Sequence, residues 1–65
     1  MNDEKLNISI RKFLKNVGIT SQRKIEEKIR DSNPNSSKKI KISANLVSDE
    51  LDLNEKIEGE IDIEI

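Results

Sequence analysis

Four carboxylates near the C-terminus are the side chains whose spacing comes closest to that of a reactive site. They recur at every second position: Glu58, Glu60, Asp62 and Glu64. In an extended strand this spacing places all four on one face, but successive members lie roughly 6.5–7 Å apart, too far for several to share one small cation. The alternation also keeps them on the polar side of the strand, away from the burial that tunes a carboxylate for acid–base catalysis. We therefore predict an acidic face and no metal site.

The remaining composition removes the other common catalytic groups. The 65 residues include no cysteine, no histidine and one aromatic side chain, Phe13. Disulfides, zinc–thiolate sites and nucleophile–histidine pairs are therefore excluded. The sequence also lacks a glycine-rich, phosphate-cradling motif, since it contains only two glycines. We predict that the protein is not an enzyme and uses no cofactor.

Cationic and polar residues in the first half of the chain form a second candidate site. The segment Asn16–Ser21 has the composition of the turn in a helix-turn-helix, where the following helix would enter a DNA groove. Glu26 and Glu27 would face the same phosphates, which argues against nucleic acid and leaves an acidic protein as the other partner. The candidate contacts are Ile8, Arg11, Lys15, Gln22, Arg23 and Lys24.

Charge is divided unevenly along the chain, although the net charge is only −1. Residues 1–41 carry eleven Lys/Arg against five Asp/Glu, whereas residues 42–65 carry one lysine against eight acids. The two parts therefore have charges of +6 and −7, and they attract one another within a monomer or across a dimer.

Hydrophobic periodicity predicts two helices in the first half. A helical stripe over residues 3–17 contains Leu6, Ile10, Phe13, Leu14 and Val17. Gly18 is placed to end this helix, and Thr20 or Ser21 to cap a second one over residues 21–31. Residues 32–38, which include Pro34, are expected to form a flexible linker.

The period then changes from 3.6 to 2, which predicts two strands. Apolar side chains alternate with polar ones over residues 39–47 and again over 56–64, and the second strand begins somewhere between Leu51 and Lys56. An antiparallel hairpin would set Lys39 and Lys41 opposite the acids of the last strand. We therefore predict one α+β domain over residues 1–65, with the order ααββ and both helices packed on one face of the hairpin.

The run from Ser9 to Glu26, SIRKFLKNVGITSQRKIE, resembles the opening of a family of short uncharacterised bacterial proteins. Those proteins share the phrase S-I-R-K-F-L-K-x-V-G-[VI]-T-S-Q-R-x-I-E, and the resemblance continues to Gly59-Glu60-Ile61. It implies the same architecture and supplies no activity. Lys24 departs from the family phrase, in which a glutamate would complete a capping box with Ser21.

A chain this short buries little apolar surface, so self-association is an expected source of stability. We predict a small non-enzymatic interaction module that pairs through a free sheet edge and through complementary charged faces. A helix-turn-helix-like nucleic-acid binder is the alternative. No segment approaches the roughly 20 apolar residues of a membrane span, and the N-terminus lacks a signal-peptide pattern, so a cytoplasmic location without membrane contact is expected.

Overall fold

The computed structural model describes all 65 residues and contains one helix followed by two strands. The helix α1 spans Asp3–Ser32, and the strands β1 and β2 span Lys38–Ser48 and Leu53–Ile63. The chain divides into two compact units, Met1–Pro34 and Asn35–Ile65. The predicted α+β class is confirmed, whereas the packing of helix on hairpin stays a prediction.

Asparagine residues cap both ends of α1. At the start, the side chain of Asn2 accepts a hydrogen bond of 3.0 Å from the backbone N–H of Lys5. At the end, Asn33 adopts the left-handed conformation (φ 48°, ψ 62°), and its N–H donates to the carbonyl oxygen of Arg30 over 3.1 Å. Pro34 follows at once, and it cannot donate the hydrogen bond that would continue a helix. The helix therefore stops where the sequence combines a left-handed asparagine with a proline.

The prediction of two helices, over residues 3–17 and 21–31, is wrong because Gly18 does not end the first one. Gly18 lies inside α1 without a positive φ, and Ser21 is an interior residue rather than a cap. A glycine inside a helix costs only about 1 kcal/mol relative to alanine. Breaking the helix here would instead leave additional backbone N–H and C=O groups unpaired at two new ends.

One apolar stripe therefore runs along α1 in place of two shorter ones. Leu6 and Val17 lie eleven residues apart, as do Leu14 and Ile25. Because eleven residues come close to three full turns, each pair lies nearly in line along the axis. The members of this apolar stripe are Leu6, Ile10, Phe13, Leu14, Val17 and Ile25, whereas Ile29 follows Arg11 by eighteen residues, or five full turns, and lies in line with it.

The hairpin agrees closely with the predicted strands. β1 and β2 are antiparallel, with Lys38 opposite Ile63 at one end and Ser48 opposite Leu53 at the other. The second strand begins at Leu53, inside the predicted interval. Residues directly opposite one another share a face, so all the apolar residues of both strands except Val47 lie on one face. This apolar face comprises Ile40, Ile42, Ala44, Leu46, Leu53, Ile57, Ile61 and Ile63.

A four-residue turn, Asp49–Asp52, joins the strands. The N–H of Asp52 donates to the carbonyl oxygen of Asp49 over 3.2 Å, and Asp52 has a φ of 51°. Aspartate tolerates this left-handed conformation better than most residues. At the other end of the hairpin, the hydroxyl of Ser37 accepts a 3.1 Å hydrogen bond from the N–H of Ile65. A hydrogen bond outside the strand pairing therefore closes each end of the hairpin.

Burial is concentrated at a single residue. Ile63 has 9% of its surface exposed and is the one buried hydrophobic residue of the chain. Ile40, Ile42, Leu46 and Ile61 on the same face are half-buried. In the helix no residue is buried. Within the unit Met1–Pro34, nothing therefore buries the apolar stripe of α1.

We expect Gly18→Ala to raise the free energy of unfolding by up to about 1 kcal/mol, because alanine has the higher helix propensity. The backbone at Gly18 has no positive φ, and a Cβ added there meets nothing within 4 Å. Urea unfolding followed by circular dichroism measures the change. A loss of stability would instead indicate a left-handed helix end at this residue.

Within the hairpin we expect Ile63→Ala to cost about 2 kcal/mol, because the side chain is buried. Ile57→Ala is the matched control on the same strand and face, where the side chain is 52% exposed, and it should cost less than half as much. Thermal unfolding of both variants provides the comparison. Equal losses would show that Ile63 is not the packing centre.

Candidate functional site

The continuous helix brings four of the six predicted contact residues onto one face. At about 100° per residue, Arg11, Lys15 and Gln22 fall within roughly 40° of one another around the axis, and Ile8 lies next to them. Ile19 follows Ile8 by eleven residues and so joins the same face, with 50% of its surface exposed. We call these five residues the basic face.

Ile19 was missed as a surface residue because two helices were expected. In that arrangement it falls between the predicted helices, over residues 3–17 and 21–31, and belongs to neither. The signal that identifies it is its eleven-residue spacing from Ile8, which is meaningful only if the helix is unbroken. Ile8 and Ile19 together give the basic face an apolar component on the side opposite the apolar stripe.

The other two predicted contacts lie elsewhere around the helix. Lys24 is about 160° from Gln22 around the axis, and Arg23 is about 100° from it. Three consecutive residues of a helix do not share a face. The structure therefore does not form the groove-reading cluster that a helix-turn-helix would require of Gln22, Arg23 and Lys24.

Neighbouring acids engage the polar residues in the C-terminal half of α1. The amide of Gln22 donates to a carboxylate oxygen of Glu26 over 2.9 Å, and the second oxygen of Glu26 lies 3.5 Å from the guanidinium of Arg30. Lys24 lies 3.8 Å from Glu27. In contrast, Arg11 and Lys15 have no carboxylate within the 4.0 Å of an ion pair. Arg23 and Lys28 also lack an ion-pair partner, but the excess of positive charge is greatest over residues 5–25, which contain no acid.

The predicted acidic face carries as many lysines as carboxylates. Lys39 is opposite Asp62, with 4.0 Å between the charged atoms, and Lys41 is opposite Glu60. The predicted cross-strand placement of both lysines is thus confirmed. On β2 itself, Lys56 lies 3.4 Å from Glu58. Three lysines and three carboxylates share this face, while Glu64 follows the last strand residue.

A shallow open depression lies across the middle of the hairpin, where Gly59 faces Ile42 and contributes no side chain. Its charged lining alternates in sign, which gives it no preference for a small anion or cation. The lining residues are Lys41, Ile42, Ser43, Lys56, Glu58, Gly59 and Glu60. No group of three or more carboxylates in the chain is arranged to hold a metal ion.

Uncompensated negative charge lies instead at the turn of the hairpin. Asp49, Glu50 and Asp52 belong to the turn, Glu55 lies opposite Leu46 near the start of β2, and residues 42–55 contain no cation. Leu51 at the tip of the turn is 75% exposed. We call residues 49–55 the acidic turn. The sequence contains this signal, because Lys56 is the one cation after Lys41, whereas the regular spacing of Glu58–Glu64 predicted the acidic face on the last strand.

The fold and these surfaces define a small α+β protein in which a long helix precedes an antiparallel hairpin. No helix has both the length and the apolar character needed to cross a membrane. The chain belongs to the DUF6494 family, a family of unknown function, whose model matches residues 1–64. The predicted membership in a family without known activity is therefore confirmed, while the shared phrase stays a prediction. Comparison with curated proteins and with solved structures finds no match.

Proposed function

We propose that this protein is a non-enzymatic interaction module that associates with itself. The observation that carries the proposal is the exposure of the apolar stripe. Leu6, Ile10 and Leu14 are 42–47% exposed, and Phe13 is 56% exposed. A helix normally gains most of its stability by burying such a stripe against another surface. A second copy of the same chain can provide that surface.

The hairpin unit supports the same proposal. Its sheet has only two strands, so each strand has one edge without a hydrogen-bonded neighbour. Sheets of two strands are marginal in water, and free edges favour pairing with another chain. Pairing through an edge would extend the sheet and would enlarge its apolar face.

Charge supports association between unlike surfaces of two copies. The basic face of α1 and the acidic turn of the hairpin are opposite in sign, and each contains exposed apolar side chains. Complementary charges raise the rate of encounter and fix orientation more than they raise affinity. The mixed-charge face of the hairpin, with its three compensating pairs of charges, would contribute little to that steering.

Sedimentation velocity over a concentration series tests the proposal. We expect the weight-average mass to rise above the 7.5 kDa of one chain within the micromolar range and at low salt. Added salt should weaken the association only modestly, because apolar burial supplies most of the affinity. A mass that stays at one chain up to high micromolar concentration would disprove self-association.

Nucleic-acid binding is a second candidate, favoured by one specific observation. Residues 5–25 carry six cations and no acid, and Arg11 and Lys15 are free of ion pairs. Such a surface can neutralise phosphates without reading bases. The continuous helix makes backbone contact the relevant mode, because the turn of a helix-turn-helix is not formed.

If α1 binds nucleic acid, binding to duplex or single-stranded probes should weaken steeply as salt rises, because counterions return to the phosphates. Replacing both Arg11 and Lys15 by glutamine should lower the salt slope by nearly two. Lys39→Gln, on the hairpin, is the matched control. Fluorescence anisotropy provides the measurement, and the absence of binding at low salt would eliminate this candidate.

A further inference from the structure

We propose that two copies of this protein pair edge to edge through β1, antiparallel and in full overlap, to form one four-stranded sheet with the strand order β2-β1-β1-β2. The inference rests on the proposed self-association and names the surface, the register and the symmetry of the contact. The partner is a second copy of the chain. Three properties of β1 support this choice: its open edge, the position of its charges and the placement of its apolar residues.

β1 has a free edge that only another strand can extend. The sheet contains two strands, so β1 has a hydrogen-bonded neighbour on one side and none on the other. The pairing with β2 runs without a bulge from Lys38 to Ser48, and β1 contains no proline. Natural proteins commonly block such edges with prolines, bulges or charges. Because the chain has no third strand of its own, a neighbour for this edge can come only from another molecule.

The length of β1 determines the register of the pair. Because β1 spans Lys38–Ser48, full overlap with an antiparallel copy places Lys38 opposite Ser48 of the second copy. Ser43 then lies on the two-fold axis and faces its own copy. Every other contact occurs twice, as a two-fold axis requires.

Apolar contacts continue across the junction in this register. Ile40 faces Leu46 of the second copy, and Ile42 faces Ala44, so the apolar faces of both hairpins lie on the same side of the joined sheet. Ile40, Ile42 and Leu46 are only half-buried in the single hairpin. A two-stranded sheet is marginal in water, whereas three or more strands with a hydrophobic face can be stable independently. The pair therefore provides what the single hairpin lacks.

Val47 also gains a contact in this register. It is the one apolar residue of the two strands that lies on the polar face, and 66% of its surface is exposed. In the pair, Val47 faces Lys39 of the second copy. The ammonium group of Lys39 lies 4.0 Å from Asp62 of its own hairpin, so its methylene groups can pack against Val47 while the charge stays in water.

The charges of β1 favour the antiparallel orientation. They lie at one end of the strand, at Lys38, Lys39 and Lys41, and residues 42–48 are uncharged. An antiparallel pair separates Lys41 from its own copy by four residues, or about 13 Å, which exceeds the screening length of about 8 Å at physiological salt. A parallel pair in register would instead place each lysine beside its own copy, which is destabilising.

The free edge of β2 is less suited to a second copy. β2 carries four carboxylates and one lysine, distributed from Glu55 to Asp62, and Gly59 interrupts its row of side chains. In full overlap Glu58 would face its own copy, and like charges directly opposite one another are destabilising. Pairing β1 with β2 of the second copy would leave a free β1 edge for a further copy, which leads to open-ended growth. The β1 pair leaves only the charged β2 edges exposed.

The first experiment locates the two-fold axis with single cysteines, because the chain has none of its own. Ser43→Cys places its thiol opposite the same thiol of the second copy, where the two Cα atoms lie about 4.5–5.5 Å apart and within reach of a disulfide. Asn45→Cys is the matched control on the same face, because its copies lie about 13 Å apart along the strand.

Mild oxidation of the full chain, followed by non-reducing electrophoresis, compares the two variants. Ser43→Cys should form the covalent dimer at least about tenfold faster than Asn45→Cys, because only its thiols lie within disulfide distance. Equal rates, or faster cross-linking of Asn45→Cys, would overturn the inference.

The second experiment tests the contact without a covalent bond, by sedimentation equilibrium of the full chain at low salt. Ser43→Lys sets two lysines opposite each other across the axis and should weaken dimerisation at least about threefold. Within its own hairpin the new lysine faces Glu58, so the hairpin keeps its stability. Asn54→Lys adds the same charge to the same face on β2, away from the free edge of β1, and should change dimerisation less than about twofold. Similar effects of the two changes would disprove pairing through β1.

The outcomes separate this inference from the function on which it rests. A native chain that remains monomeric up to high micromolar concentration disproves the proposed function and with it the inference. A native chain that dimerises, while Ser43→Cys cross-links no faster than Asn45→Cys, overturns only the inference. A native dimer together with selective cross-linking at Ser43 supports both.

Discussion

The deficit of buried apolar surface is the constraint on which every other feature of this protein depends. Ile63 alone is buried, and the helix has no buried residue at all. Hydrophobic burial is the main favourable term in folding, and it must offset about 1–2 kcal/mol of backbone entropy for each ordered residue. The caps at Asn2 and Asn33 and the surface ion pairs each contribute at most about 1 kcal/mol. Covering the apolar stripe is therefore the largest contribution still open to the chain.

The balance between the cost of one glycine and the backbone hydrogen bonds of a continuous helix explains why Gly18 misleads a prediction made from the sequence. A glycine after an apolar stripe is a common helix end, and Thr20 and Ser21 supply good capping side chains. The competing signal is that the stripe resumes at Ile25 in line with Leu14, a long-range regularity that local capping rules do not weigh. Helix continuity preserves the backbone hydrogen bonds at the cost of one glycine. The helix actually ends at Asn33 and Pro34, where a residue that tolerates the left-handed conformation precedes a proline, and both signals are present in the sequence.

The hairpin was predictable because its signals are local and agree with one another. Alternation in both strands, turn-forming residues between them and cross-strand charge pairs such as Lys39 with Asp62 all specify one register. The candidate site was less predictable. Membership of the basic face depends on helix continuity across Gly18, so an error there separated Ile8 from Ile19 and grouped Gln22 with Lys24. Which residues share a contact surface depends on their angular positions around the helix axis. One misplaced helix end is enough to change those positions.

The charge partition of +6 and −7 changes its meaning once the strands are paired. Three lysines compensate three carboxylates across the polar face of the hairpin, which leaves the excess negative charge at the acidic turn and the excess positive charge on the first half of α1. At physiological salt the screening length is about 8 Å, so these charges act mainly at contact distance. They can choose which surfaces meet and in which direction, but they cannot hold two copies together. If two copies associate as proposed, apolar contact must supply the affinity, and the apolar stripe of α1 lies on the side facing away from its basic face.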